Sequence, residues 1–137
     1  MRVAAALAAV ALAGGLALAG CAGYPDLMLV RRSGPLPGAR LELLISDGGE
    51  VRCNRGAPRQ LPPRLLLDAR DLAKRLADAA RAETTYPPAP DAQLRYRLRT
   101  RDGTVAFADV DGARDPDLGR LIALTRAIAQ DVCGLAR

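Results

Sequence analysis

Arg95, Arg97 and Arg99 recur at every second position, so on an extended strand their guanidiniums share one face. Clustered guanidiniums grip carboxylates and phosphates through paired N–H donors, which makes this run a candidate surface for an anionic small molecule or a protein partner. Arg40 and Arg52 join it if their strands lie in the same sheet. The competing reading is a solvated strand face in an arginine-biased chain, since Lys74 is the sole lysine among 20 basic residues. Asp109, Asp111, Asp115 and Asp117 crowd around Gly112, and oxygen-rich loops of this kind hold calcium. The pattern departs from the EF-hand loop, which ends on a glutamate, and Asp115 and Asp117 already have duties at a helix start. No metal is expected, and this quartet is the one calcium candidate.

Catalytic chemistry finds little to work with. The chain has no histidine, which removes the Ser–His and Cys–His nucleophile pairs. Its only serines are Ser33 and Ser46, the first in a Pro/Gly-rich stretch and the second at a turn. Asp47 and Glu50 are close in sequence, but an exposed hairpin turn gives neither carboxyl a reason to hold its proton. No glycine-rich phosphate loop follows a strand. The expectation is a non-catalytic protein without a cofactor. The alternatives are an extracytoplasmic inhibitor or accessory partner of an envelope enzyme and, more remotely, an unusual hydrolase built from carboxylates alone.

Two hairpins and two helices must position these residues. Leu41, Leu43 and Ile45 form the apolar face of a strand over 41–46, and Val51 and Cys53 continue it after Asp47-Gly48-Gly49. A three-residue loop sets Ile45 opposite Val51 and Leu43 opposite Cys53, whereas a two-residue loop would set Ile45 against Glu50. Residues 54–61 read as a loop. Pro62-Pro63 opens a helix with Pro63 near its first position, where a missing N–H costs nothing. Leu65, Ala69, Leu72, Leu76 and Ala79 form its buried stripe, and Asp71 and Arg75 are spaced as an ion pair. The helix fades by Glu83. Thr84–Ala92, with Pro87, Pro88 and Pro90 around Tyr86, reads as an extended loop, either a plain crossover or a partner-docking strip.

The second half repeats the order. Leu94, Tyr96 and Leu98 alternate with arginines, and Asp102-Gly103 is a two-residue turn that would pair Leu98 with Phe107 and Arg97 with Ala108. Asp115 caps a helix with Pro116 at its first position. Leu118, Leu121, Ile122, Thr125, Ile128 and Val132 form its stripe, with Cys133 on the edge, and Gly134 ends it. The predicted fold is α+β. Two ββα units make a four-stranded antiparallel sheet, with two helices packed on one face and the arginines on the other.

The N-terminus supplies an address. Arg2 is the only charge in the first twenty-five residues, and Val3–Leu18 is a run rich in Ala and Leu. A positive start, an apolar run and small residues before a cut describe a secretory signal peptide, and the run is short for a membrane span. Leu18-Ala19-Gly20-Cys21 resembles the lipobox of bacterial lipoprotein precursors, a resemblance that covers residues 1–21. It implies diacylglyceryl transfer to the Cys21 thiol and cleavage between Gly20 and Cys21. Two acyl chains then make a stable anchor. Ala22 in place of Asp does not favour inner-membrane retention. The expected location is the outer face of the cell membrane, or the outer membrane. The remainder is similar to small bacterial lipoproteins, a broad class whose likeness carries no site residues.

Export also bears on the cysteines. With Cys21 lipidated, Cys53 and Cys133 remain as an even pair in an oxidising compartment, and a disulfide between them is expected. Free thiols are the alternative, and two thiolates without histidine are too few ligands for structural zinc. The net charge of +5 falls to about +4 without Arg2, too modest and too mixed with acids to imply nucleic acid. The expected organisation is a signal peptide over 1–20, a lipidated tether over 21–38 and one monomeric domain over 39–137. The tether's Leu27-Met28-Leu29-Val30 is either an added edge strand or a patch against membrane or domain. Arg31 and Arg32 after it are placed to meet anionic headgroups.

Overall fold

Strand β2 (Leu41–Ser46) and strand β3 (Glu50–Cys53) form the first hairpin. Leu43 stands opposite Cys53 and Ile45 opposite Val51, the register that the three-residue loop requires. The loop closes with the Gly49 N–H on the Ser46 carbonyl at 3.1 Å, and Gly49 takes φ +94°, a conformation open to glycine. The computed structural model describes residues 25–135. The expected leader over 1–20, the Leu18–Cys21 motif and the expected lipidation site Cys21 lie outside the described residues.

The sheet is larger than expected. It has six antiparallel strands in the order β4-β3-β2-β1-β5-β6, where β1 is Asp26–Ser33, β4 is Pro58–Gln60, β5 is Arg95–Thr100 and β6 is Gly103–Ala108. The α+β class stands, and the four-stranded sheet is corrected to six. Strand β4 adds a short, fully exposed edge within the expected 54–61 loop. Strand β1 is the larger correction. It falls inside the expected 21–38 tether, yet it is neither an edge strand nor a surface patch. It is the central strand, paired with β2 on one side and β5 on the other. Met28 and Val30 enter the core, and Leu29 is buried on the opposite face. With Leu27, Met28, Leu29 and Val30 apolar in succession, the first half of the strand shows no alternation in sequence.

The β5–β6 hairpin forms in a register two residues away from the expected one. Leu98 faces Val105 and Tyr96 faces Phe107, instead of Leu98 facing Phe107. A shift by two preserves which side each residue occupies, so core and solvent faces are as expected. The turn moves to Arg101-Asp102 for local reasons. Thr100 Oγ1 accepts from the Asp102 N–H at 3.1 Å, and Gly103 (φ +143°) packs so closely that a Cβ there would strike the Ala80 carbonyl.

Helix α1 (Pro63–Arg75) starts at Pro63 and ends in a break at Leu76, after which α2 (Ala77–Arg81) resumes. The stripe therefore continues from Leu76 to Ala80, and the expected Ala79 is only half-buried. Helix α3 (Pro116–Ala127) is capped as expected, with Asp115 accepting from the Asp117 N–H at 2.9 Å and from the Leu118 N–H. It buries Leu118, Leu121, Leu124 and Thr125, leaving Ile122 at the margin. These helices cover the sheet face that carries Met28, Val30, Leu43, Ile45, Leu98 and Val105, each within 2% of full burial. Each such aliphatic side chain contributes about 1.5–3 kcal/mol on burial.

Cys53 and Cys133 are disulfide-bonded, with Cα atoms 6.0 Å apart and a sequence separation of 80. A π-helical turn, Ile128–Val132, follows α3 and brings Cys133 to the bridge, its N–H bonded to the Ile128 carbonyl five residues back at 2.9 Å. Closing a loop of this length disfavours the unfolded chain by about 4.5 kcal/mol in the chain-entropy account.

Candidate functional site: an arginine groove on the open sheet face

The helices leave the second sheet face uncovered, and strand pairing decides what stands on it. Along β1 that face carries Leu29, Arg31 and Ser33, set opposite Arg99, Arg97 and Arg95 of β5. On the other flank Arg31 faces Glu42 and Leu29 faces Leu44. The expected arginine triplet thus lies beside Arg31 rather than at a sheet margin. Leu29 is buried beneath this surface, as expected where arginine stems lie along apolar side chains with their charged heads in water.

The face dips into a groove of about 880 Å³ between β2, β1 and β5. Arg31, Arg32, Arg40, Arg55, Arg95 and Arg97 line it, with Glu42, Tyr96, Ser33 and Thr85 among the remaining walls. Of the five sequence candidates, Arg40, Arg95 and Arg97 come together here. Arg99 lies in a shallow adjoining depression with Leu29, Arg31, Arg97 and Thr104. Arg52 stands on the same sheet face opposite Leu44 but turns to the Gly56 carbonyl at 3.2 Å, outside the groove.

The six groove arginines are not equivalent. Glu42 accepts from Arg31 Nε at 2.8 Å and from Arg55 Nε at 3.3 Å. The Arg31 hydrogen bond, aided by Arg55, holds the Glu42 carboxyl below its ordinary range against a smaller opposing effect of burial. Arg32 closes the β1–β2 connection by donating to the Gly38 and Ala39 carbonyls at 3.0 and 2.9 Å. Among the described residues no carboxylate lies within ion-pair distance of Arg40, Arg95, Arg97 or Arg99. Behind the groove Tyr96 stacks on Phe107 with ring centres 5.2 Å apart, and burial pushes its hydroxyl pKa up.

Two participants escaped the sequence analysis. Glu42 read only as the polar side of a strand, and Arg55 as part of a loop. Extending the β2–β3 register by one residue sets Glu42 opposite Asn54 and leaves Arg55 next to that pair. Asn54 continues the ladder, its N–H donating to the Glu42 carbonyl at 2.8 Å and its Oδ1 accepting the Glu42 N–H at 2.9 Å. Arg31 and Arg32, which the sequence places as headgroup contacts on a tether, line the groove instead.

The other candidates take structural work. Asp109 Oδ2 accepts from the Gln93 and Leu94 N–H groups at 3.2 and 3.1 Å, and the buried Asp111 accepts from the Ala108 N–H at 2.8 Å. Asp115 caps α3 and also accepts the Tyr86 hydroxyl at 2.9 Å. Asp117 lies at the start of α3, 3.9 Å from Arg120. The four carboxylates are spent on backbone donors and neighbours, and the described residues hold no cluster of three potential metal ligands. The Pro-rich segment is also tied down. Thr84 and Tyr86 bond to Ala106 of β6, so the segment extends the sheet edge. Burial first, and then the bond to Asp115, raise the pKa of Tyr86. Asp47 is held by Arg70 at 2.9 Å, far along the sheet from the groove.

Comparison of the chain with protein families, with curated proteins and with solved structures yields no match. No helix among the described residues is long and apolar enough to cross a membrane.

Proposed function

We propose that the protein is a lipid-anchored, non-catalytic module of the bacterial cell envelope that binds an anionic ligand or partner on its arginine groove. One observation carries the binding role: Arg40, Arg95 and Arg97 line one groove on an uncovered sheet face, and among the described residues no carboxylate lies within ion-pair distance of any of the three. Such guanidiniums are free to form paired, charge-assisted hydrogen bonds. The lack of histidine and the structural use of the aspartates support a role without catalysis. The lipobox-like Leu18–Cys21 supports the location, and a Cys53–Cys133 bridge suits an oxidising compartment.

The test is thermal unfolding of the detergent-extracted chain with carboxylate, sulfate and phosphate compounds at low salt. At least one class should raise Tm by a few degrees through mass action. The double variant Arg95→Gln, Arg97→Gln should unfold at the unliganded temperature and lose that rise. Absence of any groove-dependent rise would overturn the binding role.

A further inference from the structure

Charge is divided unevenly across the groove. Glu42, on β2, neutralises Arg31 and Arg55, and repels any anion that approaches those two. Arg40, just before β2, and Arg95 and Arg97 on β5 stand on either side of the end of β1, and none of the three has a carboxylate within ion-pair distance among the described residues. Three neighbouring cations repel one another, and a bound anion relieves that repulsion. A carboxylate supplies one charge and two oxygens. A phosphate monoester supplies nearly two charges and three terminal oxygens, enough for more than one guanidinium to donate at once. Ser33 and Thr85 add hydroxyl donors to the same groove.

Backbone geometry gives a second observation. Asn54 and Arg55 both take positive φ, 50° and 63°, in a turn closed by the Gly56 N–H on the Cys53 carbonyl at 2.9 Å. Glycine is the unstrained choice at the second of these positions. An arginine held there aims its guanidinium at Glu42, and strain of this kind clusters at binding sites.

Strand direction bears on where the ligand comes from. Asp26 opens β1 beside Ser46, at the end of the sheet that carries the β2–β3 turn. Arg31–Ser33 lie at the other end, roughly 20 Å further along the strand. The five residues from Cys21 to Asp26 span at most about 17 Å. With Cys21 in the bilayer, the groove can lie up to about 20 Å further from the lipid than Asp26 does.

We propose that the groove binds a soluble phosphate monoester or diphosphate through its uncompensated arginines Arg40, Arg95 and Arg97, an inference that rests on the anchored, anion-binding role above. The test is calorimetric titration of inorganic pyrophosphate, and separately of succinate, into the full detergent-extracted chain. Pyrophosphate should bind at one site, with affinity reduced about tenfold or more in the Arg95→Gln, Arg97→Gln variant. Arg64→Gln, on exposed helix α1, should change nothing, and Glu42→Gln should tighten binding severalfold. Equal weakening by Arg64→Gln would mean diffuse attraction and overturn the site. Groove-dependent binding of succinate without pyrophosphate would overturn the phosphate assignment and leave the anion-binding role standing, whereas no groove-dependent binding of either would overturn both. A third arm uses the Cys21→Ala chain with phosphatidylcholine vesicles, with and without phosphatidylglycerol. Capture by the anionic vesicles that needs Arg95 and Arg97, and that pyrophosphate does not displace, would overturn the soluble source.

Discussion

Glu42 decides how much of the groove's positive charge is available. Its carboxylate sits between Arg31 and Arg55, and the Arg31 hydrogen bond is the larger cause of its depressed pKa. A carboxyl whose folded pKa lies below its unfolded value stabilises the fold at pH above the unfolded value, near 4.5. That contribution is lost as pH falls through the lower folded pKa. Glu42→Gln should therefore flatten the acid limb of the stability curve below about pH 4.5, with little change in slope between pH 6 and 8. The pair with Arg55 is exposed on the arginine side, so screening keeps the total effect at neutral pH under about 1 kcal/mol. Urea unfolding of both chains across pH checks this, and an unchanged acid limb would mean that Glu42 is not ion-paired in solution.

At the scale of elements, strand β1 separates what the sequence could reveal from what it could not. The β2–β3 hairpin was legible because alternation and the Asp47-Gly48-Gly49 loop admit one register that buries Ile45 and Val51 together. The α3 start was legible because Asp115-Pro116 combines a cap with a pre-set φ. Strand β1 was not. Pro25 before it and Gly34, Pro35, Pro37 and Gly38 after it carry tether composition, and its Leu27–Val30 run is apolar on both faces without alternation. The candidate arginines were visible as a face of β5, but the groove depends on β1 lying beside them, and so was hidden. Placing β1 centrally makes a sharp prediction. A chain beginning at Gly34 loses both neighbours' ladders along with Met28, Leu29 and Val30, and should show no cooperative unfolding transition. A chain beginning at Ala22 should unfold cooperatively near the temperature of the full protein. If the shorter chain folds equally well, residues 26–33 are a tether after all and not a strand of the sheet.

For the molecule as a whole, the question is whether anchor and domain are separable. The described residues carry their own core on one side of the sheet, their own disulfide and their own groove. All of these are built from described residues, so losing the proposed lipid should move the protein without unfolding it. In a bacterial host the full chain should fractionate with membranes and resist extraction by salt. The Cys21→Ala chain should leave the membrane fraction while keeping the same Tm, because two acyl chains are needed for stable anchoring and no helix of the described domain can span the bilayer. Intact mass spectrometry of the extracted protein reads the chemistry directly. The expected species begins at Cys21, carries the acyl additions and lacks the two protons lost when Cys53 and Cys133 join. A chain that begins at Met1, or one without acyl mass, would remove the anchor while leaving the domain intact. Two free thiols would remove the bridge, and Tm should then be insensitive to reductant, whereas closure of the 80-residue loop calls for a drop of roughly ten degrees or more on reduction.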